Sequence, residues 1–206
     1  MSKADGHYLE NKKTTTNKNA LMNEAVEHAQ RALELDQLNG DANKWFAITS
    51  GALGEGAGSF DFVGKVRSGR LFKKHLDLAL ALKADRAEED ATLFHLRGRF
   101  YVEFLGRNGL EQMVARRAIA DIPEGVSLEH ALEDFLTAHR LRSAWKENIL
   151  HLSKALLKLG RHAEAATFIS QGLELPLTAA AISTSEESLA HSKLNELLGK
   201  CKTKKK

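Results

Sequence analysis

Cysteine and proline are scarce in this sequence, since 206 residues contain one cysteine and two prolines. A single cysteine, Cys201, excludes an internal disulfide and is typical of proteins from reducing compartments. Because proline occurs only at positions 123 and 176, few residues interrupt helices. Runs of β-branched residues with a period of two are missing, whereas the strong helix formers Ala, Leu, Lys and Glu are abundant. The composition therefore predicts an all-α chain.

Long hydrophobic runs are missing as well. The longest apolar stretches, Leu76–Leu82 and Leu177–Ile182, are far shorter than the roughly 18 residues that a transmembrane helix needs. Residues 1–18 are polar and contain no apolar core of a signal peptide. We therefore expect a chain without a transmembrane anchor and with a cytoplasmic location.

Excess charge of either sign is small, with a formal net charge of +3. This value is too low to indicate nucleic-acid binding. The positive charge is concentrated at the C-terminus, where residues 200–206 include five lysines in seven residues. We treat this basic tail as a candidate contact with an acidic partner, through Lys202, Lys204, Lys205 and Lys206.

A small–large–small pattern recurs with the spacing of tetratricopeptide repeats, which is 34 residues. The two clearest copies are Ala131, Phe135, Ala138 and Ala165, Ile169, Gly172. Looser copies begin at Phe72 and Ala25, separated by insertions. Small residues at these offsets let a neighbouring helix approach, and the large residue fills the gap between the two helices. The spacing thus predicts antiparallel helix pairs stacked as a right-handed superhelix.

The same pattern predicts where the elements and domains lie. First helices of the pairs are expected at 41–52, 91–105 and 145–159, the last ending at Gly160. The glycine-rich insertion 51–69 is interpreted as a loop or an extended helix end. An extra inserted helix is expected at 110–120, and a C-terminal capping helix at about 185–198. The chain would comprise a flexible N-terminal segment (1–19), one helical-repeat domain (20–199) and the basic tail (200–206).

The sequence gives little support for a catalytic function. The segment 58–65 lacks a phosphate loop's first glycine, since position 59 is serine, and its hydroxyl residue, since position 66 is valine. Ser59 also breaks a dinucleotide-binding glycine pattern. None of the nine histidines has the His-x-x-x-His spacing of a metal site. We predict no catalytic residues, no metal site and no cofactor.

A binding function is better supported than a catalytic one, because in stacked helix pairs the first helix of each pair lines a groove. The repeat register predicts a cationic groove with apolar positions between its charges, formed by Lys44, Ile48, His95, Arg99, Glu103, Leu150, Lys154 and Lys158. The alternative interpretation is a solvated basic face without a partner.

Several ordered runs resemble one protein family: 42–48, 72–77, 96–100, 131–135 and 157–161. Over about residues 20–198 the chain is similar to the regulator of microtubule dynamics family. The resemblance implies a non-enzymatic, tetratricopeptide-like scaffold that binds microtubules and other spindle or cytoskeletal proteins. It also implies roles in mitosis, spindle organisation and chromosome segregation, at the cytoskeleton, the spindle and its poles. Some members of that family are membrane-anchored, and the expected absence of an anchor here favours the spindle-linked role.

Two alternatives to the microtubule role stay open at this point. A superhelical cavity with basic rim residues could bind an anionic phospholipid at membrane contact sites. The second alternative is a generic adaptor that binds the C-terminal peptide of a chaperone. Such an adaptor needs a clamp of lysine, asparagine and arginine side chains, and the sequence contains only parts of that clamp.

Overall fold

The computed structural model describes residues 20–56, 62–85, 89–119, 122–177 and 185–203. Within these ranges all regular structure is helical and no strand occurs. The helices are α1 (20–35), α2 (Gly40–Gly56), α3 (Phe62–Asp85), α4 (Ala91–Leu105), α5 (Gly109–Ala118), α6 (Leu128–Leu141), α7 (Lys146–Lys158), α8 (His162–Glu174) and α9 (Ser185–Thr203). None of these described helices combines the length and apolar character that crossing a membrane requires.

Local sequence explains several helix ends. Asp90 caps α4, because its side chain accepts a hydrogen bond from the Thr92 amide. Ser127 and His130 form a reciprocal capping box at the start of α6. Gly160 ends α7 with φ of 77°, and the amides of Gly160 and Arg161 donate to carbonyls of the last turn. That arrangement is a Schellman motif, which requires glycine's left-handed backbone.

The sequence predicted most of these elements well. The predicted helix 91–105 is confirmed as α4, the inserted helix corresponds to α5, and α7 lies within the predicted 145–159. In the glycine-rich insertion, α2 continues to Gly56 and α3 begins at Phe62, so the described part is helical. Residues 57–61 and the predicted N-terminal segment 1–19 lie outside the described residues.

The end of α9 differs from expectation. The helix continues to Thr203, and Cys201 is 8% exposed within it, so this cysteine belongs to the packed helix rather than to the tail. It lies in an apolar cluster with Ile149, Ile169 and Leu194. The predicted packing of a last helix on the preceding pair is therefore confirmed for α9 against α7 and α8.

The described helices divide between two compact units. The first contains α1, α2, α3 and the part of α5 from Met113 onward. In this unit α2 packs on α3, with Leu76 and Ala79 fully buried. A Cβ at Gly51 would lie 2.8 Å from the Phe72 ring, which shows how closely the two helices approach.

The second unit contains α4, the start of α5, and α6 to α9. Here α4 packs on α6, and α7 packs on α8. The small–large–small residues behave as the pattern predicts, since Phe135 and Ile169 are fully buried. Phe135 lies against Gly98 of α4, and Gly172 lies against Ile149 of α7. Each of these helix pairs therefore depends on a glycine at its contact.

Candidate functional site

The candidate site lies in the second unit, where α4 and α7 carry polar side chains at one-turn spacing. On α4 these are His95, Arg99 and Glu103, and on α7 they are Glu147, His151, Lys154 and Lys158. Residues three or four apart share one face of a helix. Contacts between His95 and the side chains of α7 bring the two faces together.

A buried hydrogen-bond chain fixes the centre of the site. Asn148, fully buried, donates from Nδ2 to the Phe135 carbonyl at 2.9 Å. Its Oδ1 is 2.9 Å from Nδ1 of His95, which is itself 2% exposed. Because Asn148 Oδ1 can only accept, His95 carries its proton on Nδ1. The lone pair of His95 Nε2 is thus left without a hydrogen-bond partner in a buried position.

Aromatic rings enclose the His95 imidazole. The ring centroids of Trp145, His151 and Phe135 lie 4.3, 5.4 and 5.7 Å from that of His95. Arg142 stacks over Trp145, with its guanidinium carbon 4.8 Å from the ring centroid. This packing leaves the imidazole little freedom to rotate.

Glu147 lies at the edge of the same site. Its Oε1 is 3.9 Å from His95 Nε2 and 3.6 Å from Nη1 of Arg99. One ligand atom from each of His95, Glu147 and His151 lies within 4.8 Å of the other two. Two imidazoles and one carboxylate therefore converge on one point.

Burial keeps both imidazoles neutral at pH 7. It lowers the pKa of His95 to about 4, although the hydrogen bond that His95 donates to Asn148 acts in the opposite direction, and the nearby Arg99 charge lowers it further. It lowers the pKa of His151 to about 3, with further lowering by the positive charges of Arg99, Lys154 and Lys193, and by His95. Both rings thus retain a lone pair at physiological pH.

Four basic side chains form what we call the cationic cluster: Arg99, Lys154, Lys158 and Lys193. The pKa of Lys154 is lowered, first by burial and then by the charges of Lys193, Lys158 and Arg99. Among the described residues no carboxylate lies within salt-bridge distance of Lys154, Lys158 or Lys193. The cluster combines side chains from α4, α7 and α9.

The other predicted groove residues lie in varied places. Leu150 is 4% exposed and packs in the apolar core with Ile149 and Ile169. Its side chain, like that of the buried His95, is therefore not exposed at the surface of a groove. Glu103 is exposed and pairs with Arg107 at 2.9 Å. Lys44 and Ile48 belong to α2 in the first unit, where Lys44 pairs with Asp41 at 3.3 Å and Ile48 is half-buried.

The basic tail lies largely outside the described residues. Lys204, Lys205 and Lys206 fall beyond them, and Lys202 is described only as part of helix α9.

Sequence reasoning missed four residues of the site: Glu147, Asn148, His151 and Lys193. The Glu147–His151 spacing of one helical turn is the signal in the sequence that indicates a shared helix face. Lys193 could be found only from the packing of α9 on α7.

Comparison with known proteins identifies the family. The family model described as Regulator of microtubule dynamics protein 1-3 matches residues 1–202. The chain is 29% identical to Regulator of microtubule dynamics protein 2 of Rattus norvegicus over 174 residues, covering 84% of this chain and 39% of that protein. It is 31% identical over 172 residues to protein 3 of Bos taurus, covering 83% and 34%.

A nematode relative is matched over more of its length. The chain is 28% identical over 195 residues to Regulator of microtubule dynamics protein 1 of Caenorhabditis elegans, covering 95% of this chain and 80% of that protein. The chain spans less than half the length of the rat and bovine relatives. A match to one family model over nearly the whole chain shows that it belongs to the regulator of microtubule dynamics protein 1-3 family.

Proposed function

We propose that this chain is a non-enzymatic scaffold that regulates microtubule dynamics by binding an acidic segment of tubulin at the cationic cluster. The observation that supports this most is the convergence of Arg99, Lys154, Lys158 and Lys193 in one unit. The names of the relatives point to the same process. Action at the spindle and its poles, in chromosome segregation, is part of this proposal, as is a tetratricopeptide-type superhelix of the helix pairs.

The positive charges of the cationic cluster repel one another. The lowered pKa of Lys154 reflects burial and then three neighbouring positive charges, so its ammonium group is destabilised relative to an isolated lysine. A partner that supplies carboxylates would relieve this repulsion. Tubulin has an acidic surface, and complementary charge accelerates association and orients the partners. Binding of this kind weakens as salt increases.

Co-sedimentation with polymerised microtubules tests the proposal. We expect Lys154→Glu/Lys158→Glu to lower the bound fraction sharply at low salt. The matched control, Arg117→Glu/Arg140→Glu, changes the net charge equally at two exposed helix positions outside the cluster. It should bind nearly as well as the wild type, and thermal unfolding would verify that both variants are folded.

The basic tail is tested separately by replacing Lys204, Lys205 and Lys206 with glutamine. Substitution is preferable to truncation at Gly199, because truncation would remove Cys201, which is buried in α9. Binding that survives this change but is lost in the Lys154→Glu/Lys158→Glu variant would support the cluster. Equal binding by wild type and that variant would contradict the proposal. Wild-type binding to anionic vesicles in place of microtubules would favour the phospholipid alternative.

A further inference from the structure

The convergence of His95, Glu147 and His151 has no role in the proposed tubulin contact. Their donor atoms belong to helices that pack on each other, with His95 on α4 and the other two one turn apart on α7. We propose that these three side chains bind a divalent transition-metal ion, with Zn²⁺ as the best match. This proposal is independent of whether the chain binds microtubules.

The donor set supports zinc over the common hard cations. Zn²⁺ is commonly bound by imidazole nitrogen and carboxylate oxygen, and sites with three protein ligands are well known for it. Ca²⁺ and Mg²⁺ prefer oxygen ligands throughout, which two imidazoles do not provide. Co²⁺, Ni²⁺ and Cu²⁺ share the preference for imidazole, so they serve as probes of the same site.

The unpartnered nitrogen of His95 is the second observation. Nε2 is buried and has no hydrogen-bond partner, although buried polar atoms in folded proteins nearly always have one. The Asn148 amide holds the proton on Nδ1, at 2.9 Å, so the lone pair of Nε2 points away from this hydrogen bond. Metal-bound histidines characteristically donate their other ring N–H to such an oxygen. His95 is therefore already in the tautomer that a metal ion requires.

The three ligand atoms need to move only slightly closer together to bind a metal ion. The three ligand atoms lie within 4.8 Å of one another, and His95 Nε2 is 3.9 Å from Glu147 Oε1. Bonds of about 2.0–2.1 Å in a tetrahedral arrangement place ligand atoms about 3.3 Å apart. Glu147 is 38% exposed in the first turn of α7, so its side chain can rotate toward the imidazoles.

The positive charges near the site oppose the binding of a divalent cation, and they affect its affinity and its further ligands. Arg99, Lys154 and Lys193 contribute positive charge around His151, and Arg99 lies 3.6 Å from the Glu147 carboxylate. A metal ion would therefore compete with Arg99 for Glu147. Three protein ligands leave an open coordination position, which in this positive setting favours an anion or water. It follows that Arg99→Gln should strengthen metal binding rather than weaken it.

Titration calorimetry of the full chain with Zn²⁺, together with Co²⁺ absorption spectra, tests the site. We expect one ion per chain, and a loss of affinity of at least about tenfold in Glu147→Gln and in His151→Gln. The matched control is His28→Gln, because His28 forms an exposed one-turn pair with Glu24 at 3.7 Å but has no third ligand among the described residues. This control should bind zinc as the wild type does.

The variants also distinguish the loss of a metal ligand from a folding defect as the cause of lost zinc binding. Glu147 is partly exposed, so Glu147→Gln should keep the wild-type thermal unfolding temperature in the absence of metal, and it should lose the rise that Zn²⁺ produces in the wild type. Arg99→Gln should increase the affinity. No binding by the folded wild type would overturn the proposal, as would unchanged affinity in both Glu147→Gln and His151→Gln.

Discussion

At the scale of single residues, Asn148 connects three helices of the second unit. Its amide joins three helices, because it lies on α7, donates to the Phe135 carbonyl of α6 and binds His95 of α4. Asn43 has a comparable role in the first unit, where it is fully buried, bonds to the carbonyls of Gln37 and Asn39, and contacts His75. Both units therefore depend on a buried asparagine whose hydrogen bonds are satisfied.

The buried histidines make the stability of the chain depend on pH. The pKa values of His95 and His151 are about 4 and about 3 in the folded state, below the ordinary value of 6.5. Between pH 6.5 and about 4 the unfolded chain therefore binds more protons than the folded chain. The free energy of unfolding consequently falls as pH decreases through this window, and it recovers as pH rises.

We expect His151→Gln to reduce this dependence. From pH 7 to pH 5 the wild type should lose about 2 kcal/mol of stability through His151, and the variant should lack that contribution. Urea denaturation at both pH values measures the difference, with His28→Gln, at an exposed position outside the site, as the matched histidine replacement. Identical pH dependence in His151→Gln and the wild type would contradict the buried neutral imidazole.

The ion pair between Arg97 and Asp134 is a second residue-scale feature. Arg97 donates from Nε and Nη2 to the two carboxylate oxygens of Asp134, at 2.9 and 2.7 Å. Asp134 is 5% exposed, and burial raises its pKa even though Arg97 acts in the opposite direction. The pair connects α4 to α6, and removing the arginine would leave a buried carboxylate without its cation.

Arg97→Leu should therefore destabilise the chain by about 2–3 kcal/mol at pH 7. The double variant Arg97→Leu/Asp134→Leu should be more stable than the single variant, because it no longer buries an unpaired charge. Chemical denaturation of the four members of this double-mutant cycle measures both effects. Additive losses in the double variant would show that the two residues do not stabilise the fold as a pair.

At the scale of elements, glycines set the closest approach of paired helices. A Cβ on Gly98 would lie 2.8 Å from Cε1 and 3.0 Å from Cδ1 of Phe135. On Gly172 it would lie 2.9 Å from both Ile149 and Leu194. These positions fall where helix pairs contact each other, so the spacing of small residues is a requirement of packing.

Gly98→Ala should destabilise the chain, although alanine is the better helix former. Overpacking costs about 1–3 kcal/mol, which exceeds or offsets the gain of about 1 kcal/mol in helix propensity. The matched control is Gly199→Ala in α9, where an added Cβ meets no atom within 4 Å. Thermal unfolding should show a lower midpoint for Gly98→Ala and an equal or higher one for Gly199→Ala. The reverse order would refute the close approach of α4 and α6.

Element positions were largely predictable because they follow from local periodicity. The bounds of α4 and the stop at Gly160 came from spacing and from a single capping glycine. The convergence of His95 with Glu147 and His151 was not predictable in this way, since α4 and α7 are far apart in sequence. Lys193 and the burial of Cys201 likewise depend on how α9 packs. Long-range contacts of this kind carry no periodic signal in a single sequence.

At the scale of the whole molecule, function depends on which surface meets a partner. The cationic cluster belongs to the second unit, and the proposed metal site lies beside it, with Arg99 near both. Membership in a family named for microtubule dynamics makes the polymer itself the relevant partner to test. We propose that the cluster changes how microtubules grow and shorten.

The most direct measurement is light microscopy of dynamic microtubules with purified protein, in which growth, shortening and switching rates are recorded. The wild type should change at least one of these rates, and Lys154→Glu/Lys158→Glu should return it toward the value for tubulin alone. The control Arg117→Glu/Arg140→Glu should act as the wild type does. Unchanged rates with the wild type, or a cluster variant as active as the wild type, would contradict regulation of microtubule dynamics through the cluster.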